Sequence, residues 1–311
     1  MEIVYPINKQ ILEFKSIDNK TFNVDNAKEY SSSHEPSLIF DKPYVFSSSF
    51  KLEIEKPIFE TKQQIDLHDY SDLKVTNMNS TFEAINILKY KCPSWRKTFE
   101  DSESELKVIS DALDRNIIRN GHYVPNKKNL FKAFELTPLD TVKVVIVGQD
   151  PYHQILHNGE PRATGLSFSV HETDEIPSSL QNIYKEISSE IPSWQHPRHG
   201  NLTSWAKQGV LMLNICLTCV PGNAGSHSKY KLWMPFIIKV LNEIKKYNPK
   251  CIFVMWGAKA QEIDQYIGEK SVKLVSAHPS GLSASRGFFK CGHFVKINEH
   301  LVANNQTPIS W

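Results

Sequence analysis

Four short, almost wholly apolar runs constrain this chain more than any other feature. They span 142–147, 210–215, 251–256 and 272–277, and each closes near a small or polar residue: Gly148, Asn214, Gly257 and His278. Runs of this length without strict alternation suit strands buried on both faces. Helical patterns lie between and after them. Leu180, Ile183, Tyr184 and Ile187 share one helical face, 236–244 is helix-like, and Phe294, Ile297 and Leu301 form a last stripe. Buried strands separated by helices predict an α/β fold with a central, mostly parallel four-stranded sheet flanked by helices on both faces. Ligands of such sheets bind outside the carboxyl ends of the strands. Gly148-Gln149-Asp150-Pro151-Tyr152-His153, Asn214, Gly257 and His278-Pro279-Ser280 would therefore share one rim.

The chain before this pattern reads differently. Residues 1–85 carry serine triplets at 31–33 and 47–49, short alternations at Phe22 and Val24 and at Phe50, Leu52 and Ile54, and no chemical motif. They are expected to be an extension, either a small β appendage or a disordered arm, ahead of a catalytic domain at 86–311. Charge divides similarly. Residues 1–85 hold nine lysines, no arginine and fourteen acids, whereas 191–311 hold fourteen bases against five acids. A basic C-terminal half is compatible with a polyanionic partner, although a solvated surface explains charge alone as well.

Several classes are excluded. No apolar run approaches the roughly 18 residues of a membrane span, and the N-terminus has neither a signal-peptide nor a transit-peptide pattern. Five cysteines give no disulfide framework, so a reducing intracellular setting is expected, in nucleus, cytoplasm or a viral replication site. Cys216 and Cys219 form a CxxC pair without a second pair. Ordinary buried thiols are expected there and at Cys92, Cys251 and Cys291, with no metal.

Two segments carry chemistry. Gly148 and Pro151 bracket a tight loop that would hold the Asp150 carboxylate rigidly after a strand, where it could orient or deprotonate water. The same carboxylate could instead cap a turn or helix. His278 at a strand end could be an electrophile, a base or a satisfied core imidazole. Ser280 and Ser283 could bind phosphate oxygens, and Arg286 follows. Leu282 sits between Gly281 and Ser283, where a loop-tip leucine is unremarkable unless the loop faces DNA. There it would be a wedge.

Together these segments resemble the family 1 uracil-DNA glycosylases. The resemblance continues through Gly165-Leu166-Ser167-Phe168-Ser169-Val170, 179–186, 205–214 and 286–294, and runs from about Pro93 to the C-terminus. It implies hydrolysis of the bond between uracil and deoxyribose, releasing free uracil and leaving an abasic site, without a lyase step. Asp150 would activate the water, and neutral His278 would stabilise charge on the leaving uracil. Asn214 would read the base edge, Phe168 would stack on the ring, Tyr152 would exclude the thymine methyl, and the Gln149 backbone would complete the pocket. His153, Ser179, Gly257, Ser280, Leu282, Ser283 and Arg286 would handle DNA. The implied partners are single- and double-stranded DNA containing uracil and a DNA-mimicking protein inhibitor. A monomer without cofactor is expected. A scaffold protein that keeps the fold is the opposing reading, and the acidic extension would then dock its protein partner.

Four departures from the family pattern concern DNA handling: the long segment 154–164, Ala258 after Gly257, Gly281 before Leu282, and Pro177-Ser178 before Ser179. An outward bulge is expected for 154–164. Trp194, His196 and His199 are left open between DNA contact and packing, and Phe288-Phe289 is expected in the core.

Overall fold

A computed structural model describes residues 80–311, except Gly121 and Lys270, together with two short N-terminal strands. The chain divides into two compact units, Met1–Gln63 and Gln64–Trp311. In the first, β1 (Glu13–Lys15) and β2 (Thr21–Asn23) pair antiparallel, with Phe14 opposite Phe22. The alternation at Phe50, Leu52 and Ile54 lies outside the described residues.

The second unit is built on four strands: β3 (Val144–Gly148), β4 (Val210–Asn214), β5 (Ile252–Trp256) and β6 (Val272–Ser276). Their order is β4-β3-β5-β6, and every pairing is parallel. β3, β4 and β5 are buried along their whole length, as their unbroken apolar sequences require. β6 is the partly exposed edge, with Val275 half in solvent. β3 leads to β4 on one side, and β5 leads to β6 on the other. The crevice beyond the carboxyl ends of β3 and β5 is thus the topological switch point.

Five helices of eight or more residues are described: α1 (Thr81–Leu88), α2 (Glu103–Asn120), α3 (Ser178–Glu190), α4 (Met234–Tyr247) and α5 (His293–Ala303). Ser80 caps α1 by accepting from the Glu83 N–H, and Asp114 of α2 accepts from the Thr81 N–H. α1 places Ala84, Ile85 and Leu88 in the same core as the sheet. α3 buries Leu180, Ile183, Tyr184 and Ile187, the stripe read from sequence. α4 buries Phe236, Ile237, Val240, Leu241 and Ile244, and lysines in its last turn complement the helix dipole. Among the described residues, no helix is long and apolar enough to cross a membrane.

Candidate active site

The site begins where β3 and β4 end side by side. Gly148 lies opposite Asn214. A Cβ at Gly148 would stand 2.1 Å from Asn214 Oδ1 and 2.8 Å from the Ser167 Cβ. Glycine is therefore the residue that lets the Asn214 side chain lie across the end of β3. Asn214 is only 6% exposed. Its side-chain amide makes no hydrogen bond with another described residue, so its donors and acceptor are not committed to the fold.

Beyond Gly148 the chain is zipped to the segment after β4. The Ile215 N–H donates to the Gly148 carbonyl at 2.9 Å, and the Cys216 N–H to the Gln149 carbonyl at 3.0 Å. Cys219 Sγ donates to the Pro151 carbonyl, and the Gly222 N–H to the His153 carbonyl. This lacing fixes Asp150, whose Oδ2 accepts from the Gly225 N–H. Burial pushes the Asp150 carboxyl above the ordinary aspartate range, while the Gly225 N–H and the nearby His153 pull it back. The result is a held carboxylate, more basic than one in water.

On the other side of the crevice, His278 follows β6. The Ser280 N–H donates to His278 Nδ1 at 3.0 Å. With Nδ1 accepting, a neutral imidazole carries its hydrogen on Nε2. Burial lowers the His278 pKa, which favours that neutral form. Gly257, at φ +86°, packs directly against this residue, since a Cβ there would lie 2.7 Å from the His278 Cβ. Asn182 of α3 donates to the Pro279 carbonyl at 2.8 Å and pins the loop from outside.

Phe168 forms the wall between these groups. Its ring centroid lies 5.9 Å from that of His278 and 5.6 Å from Trp256, which it meets edge-on. Its backbone adopts φ +62°, uncommon for a residue other than glycine and a mark of local strain. The Tyr152 hydroxyl donates to the Phe168 carbonyl at 3.4 Å, which ties Tyr152 to the backbone that carries this ring.

The remaining expected residues form the rim. Ser280 and Ser283 share a hydroxyl hydrogen bond of 2.9 Å, and Ser283 also donates to the His278 carbonyl. Leu282 is 86% exposed at the tip of this loop. Ser179 lies in the first turn of α3, three residues before Asn182. His153 is half-buried, and its Nδ1 has no hydrogen-bond partner among the described residues. Arg286 is exposed and makes no ion pair there. The structure thus gathers Gln149, Asp150, Tyr152, Phe168, Asn214, Gly257 and His278 around the crevice, and leaves Arg286 in solvent.

Three supporting residues were not read as functional from sequence. Gly225, the partner of Asp150, is distant in the chain and lies in no quoted motif. Trp256 is indistinguishable from any strand aromatic. Asn182 stands within a quoted segment, but its role depends on a contact across 97 residues. Other expectations resolve by packing. Segment 154–164 is a small outward hairpin, with Ile155 bridged to Pro161 and residues 157–160 exposed. Trp194 donates to the Trp311 carbonyl, and Tyr184 meets both Trp194 and His196. Phe288 is buried against Trp256, but Phe289 is 37% exposed, so only the first of the pair is core. Cys216 and Cys219 are buried thiols that donate to backbone carbonyls.

Comparison with known proteins places the chain in a family. The family model described as the uracil DNA glycosylase superfamily matches residues 134–302. A uracil-DNA glycosylase of Yersinia pestis (strain Pestoides F) is 48% identical over 188 residues, covering 60% of this chain and 80% of the relative. One from Photorhabdus laumondii is 47% identical with the same coverage. The crystal structure of mimivirus uracil-DNA glycosylase superposes with a TM-score of 0.67 at 32% identity, covering 72% of this chain and 88% of that one. A mimivirus UNG variant solved in complex with UGI gives 0.68 at 33% identity, covering 72% and 90%. The matched span contains β3 to β6 and the whole crevice, from Asp150 to His278, and on that ground the chain belongs to the uracil-DNA glycosylase superfamily.

Proposed function

We propose that this protein excises uracil from DNA by flipping the nucleotide into the crevice and hydrolysing its N-glycosidic bond with water, without a lyase step. A base in a duplex hides the bond to be broken, so extrusion precedes chemistry at a cost of roughly a few kcal/mol. The flipped ring stacks on Phe168. Asn214, with its amide uncommitted, hydrogen-bonds the N3 and O4 edge, where uracil and cytosine differ. Tyr152 crowds C5 and keeps out the thymine methyl. The Gln149 backbone completes the pocket.

As the bond breaks, negative charge grows on the uracil leaving group. His278 donates its Nε2–H to uracil O2 and stabilises that charge without giving up the proton. Asp150 holds water on the sugar side and accepts its proton as the oxygen bonds to the anomeric carbon. The observation that carries this reading is the Ser280-to-His278 hydrogen bond, because it selects the tautomer that can donate. Ser179, Ser280, Ser283, His153 and the backbone at Gly257 grip the neighbouring phosphates. Leu282 fills the vacated stack, and Arg286 adds backbone attraction. The catalytic domain at 86–311 carries all of these groups and acts as a monomer on single- and double-stranded DNA. A DNA-mimicking inhibitor would compete at the Leu282 rim.

The test is release of free uracil from an oligonucleotide with one uracil, beside a matched thymine strand. Wild type is expected to release uracil and spare thymine, Asp150→Asn to release little, and Asn214→Asp to gain cytosine release. A folded, DNA-binding wild type that releases no uracil would overturn the reading.

A further inference from the structure

We propose that Tyr230 is a stacking platform for an unpaired base flanking the target nucleotide in single-stranded DNA, with Lys229, Lys231 and Lys259 binding the adjoining phosphates. This rests on the uracil-excision reading above and extends its substrate contacts beyond the pocket.

The turn that carries Tyr230 is built outward from the catalytic carboxylate. The Gly225 N–H donates to Asp150, and the Gly225 carbonyl accepts from the Lys229 N–H at 3.1 Å and from Ser228 Oγ at 3.2 Å. The Tyr230 N–H donates to the His227 carbonyl, and the Lys231 N–H to that of Ser228. His227 is anchored below by Thr218 at 2.9 Å, and Thr218 accepts from Trp233 Nε1 at 2.8 Å. Lys231 adopts φ +52°, a left-handed conformation that closes the turn. Five residues in turns of about 2 Å rise each keep Tyr230 within about 10 Å of Gly225. That reach places the ring beside the pocket, within range of a nucleotide flanking the target.

The tyrosine held there is 73% exposed. The Lys229 ammonium sits over its ring at 4.8 Å from the centroid. Lys229 and Lys231 are exposed and make no ion pair among the described residues. Ser228, Lys231 and Lys259 line one small cavity, Lys259 being the second residue of the short helix that follows Gly257. The carboxylate nearby, Glu262, pairs with Lys259 at 2.8 Å. An exposed aromatic ring beside two lysines without an ion pair among the described residues, and a third in a surface pair that a phosphate can replace, matches single-stranded nucleic acid: bases stack on the ring and cations track the backbone. A paired base in a duplex cannot offer its face in this way.

Tyr230→Ala and Tyr230→Phe are to be compared with wild type on a uracil-centred single strand, a uracil duplex, and substrates trimmed to uracil and its two phosphates. Tyr230→Ala is expected to raise KM on the single strand by about fivefold to one-hundredfold, the usual worth of one stacked base. Its kcat should be unchanged, its loss on the duplex smaller, and its behaviour on the trimmed substrate that of wild type. Tyr230→Phe should retain the wild-type KM. An unchanged KM for Tyr230→Ala on the single strand overturns the proposal. So does an equal loss on the trimmed substrate, which would mark a purely structural role. Fluorescence anisotropy with uracil-free single strands reads stacking apart from chemistry. Weaker binding by Tyr230→Ala there supports the platform even if no uracil is released, and equal binding by both proteins counts against it.

Discussion

The Ser280 backbone N–H donates to His278 Nδ1 within one loop, so the loop that presents Leu282 to solvent also sets the tautomer of the imidazole beneath it. Position and protonation at this edge of the crevice are coupled by a single 3.0 Å contact. Nδ1 accepts and burial lowers the His278 pKa, and both favour the neutral imidazole with its hydrogen on Nε2.

Nitrogen-15 NMR of labelled protein should therefore show His278 with its proton on Nε2, titrating below the ordinary imidazole value of 6.5. His278→Phe should lower kcat by about 10²–10³-fold, the usual loss when one donor to a developing anion is removed. An imidazolium signal at neutral pH would contradict the proposed role.

Asp150 gives the pH profile its acid limb. Burial raises its carboxyl above the ordinary 3.8, so activity should fall on acidification at a higher pH than a free aspartate would require. His153 opposes that rise. Replacing it by Gln removes a favourable charge and should move the limb to still higher pH. Plots of kcat against pH for wild type and His153→Gln measure the displacement, and a shift to lower pH would contradict it.

Gly148→Ala tests the packing beneath Asn214. The added Cβ cannot share space with Asn214 Oδ1 and the Ser167 side chain. Overpacking of this kind costs about 1–3 kcal/mol of stability. Activity should fall further than stability, because the displaced group is the proposed base reader. Thermal melts and kcat/KM on uracil DNA separate the two losses.

Much of this arrangement was legible in the sequence because the sheet is buried. Unbroken apolar runs such as 251–256 admit few readings, and their ends locate the crevice without knowledge of side-chain contacts. Gln149, Asp150 and Asn214 follow from that rule. The contacts that hold them do not. Gly225 reaches Asp150 across 75 residues and Asn182 reaches Pro279 across 97, and no periodicity records such pairs. Tyr230 is silent in the sequence for a different reason. An exposed tyrosine in a polar loop has no pattern until its turn is seen to start at the glycine that donates to Asp150. Phe289 shows the opposite error, since neighbouring aromatics on a turn need not share a burial class.

The last turn of α3 offers a stability test away from the pocket. Glu186 accepts from the N–H groups of Lys290 and Gly292, and Glu190 from that of Val295, so both carboxylates serve the N-terminus of α5. Burial pushes the Glu190 carboxyl up, against the Val295 N–H, and the adjacent Glu186 pushes it up further. A carboxyl raised in the native state keeps a proton that the unfolded chain has released. Its contribution is complete below the ordinary glutamate value of 4.5 and declines as pH rises from there toward neutrality. Glu190→Gln replaces the titrating acid with a permanent donor toward Glu186, while its carbonyl can still accept from Val295. The variant should match wild type near pH 5, melt higher near pH 8 and show a flatter dependence between them, these values being chosen roughly to bracket the shift. Parallel melting curves across that range would mean that the two carboxylates do not share a proton.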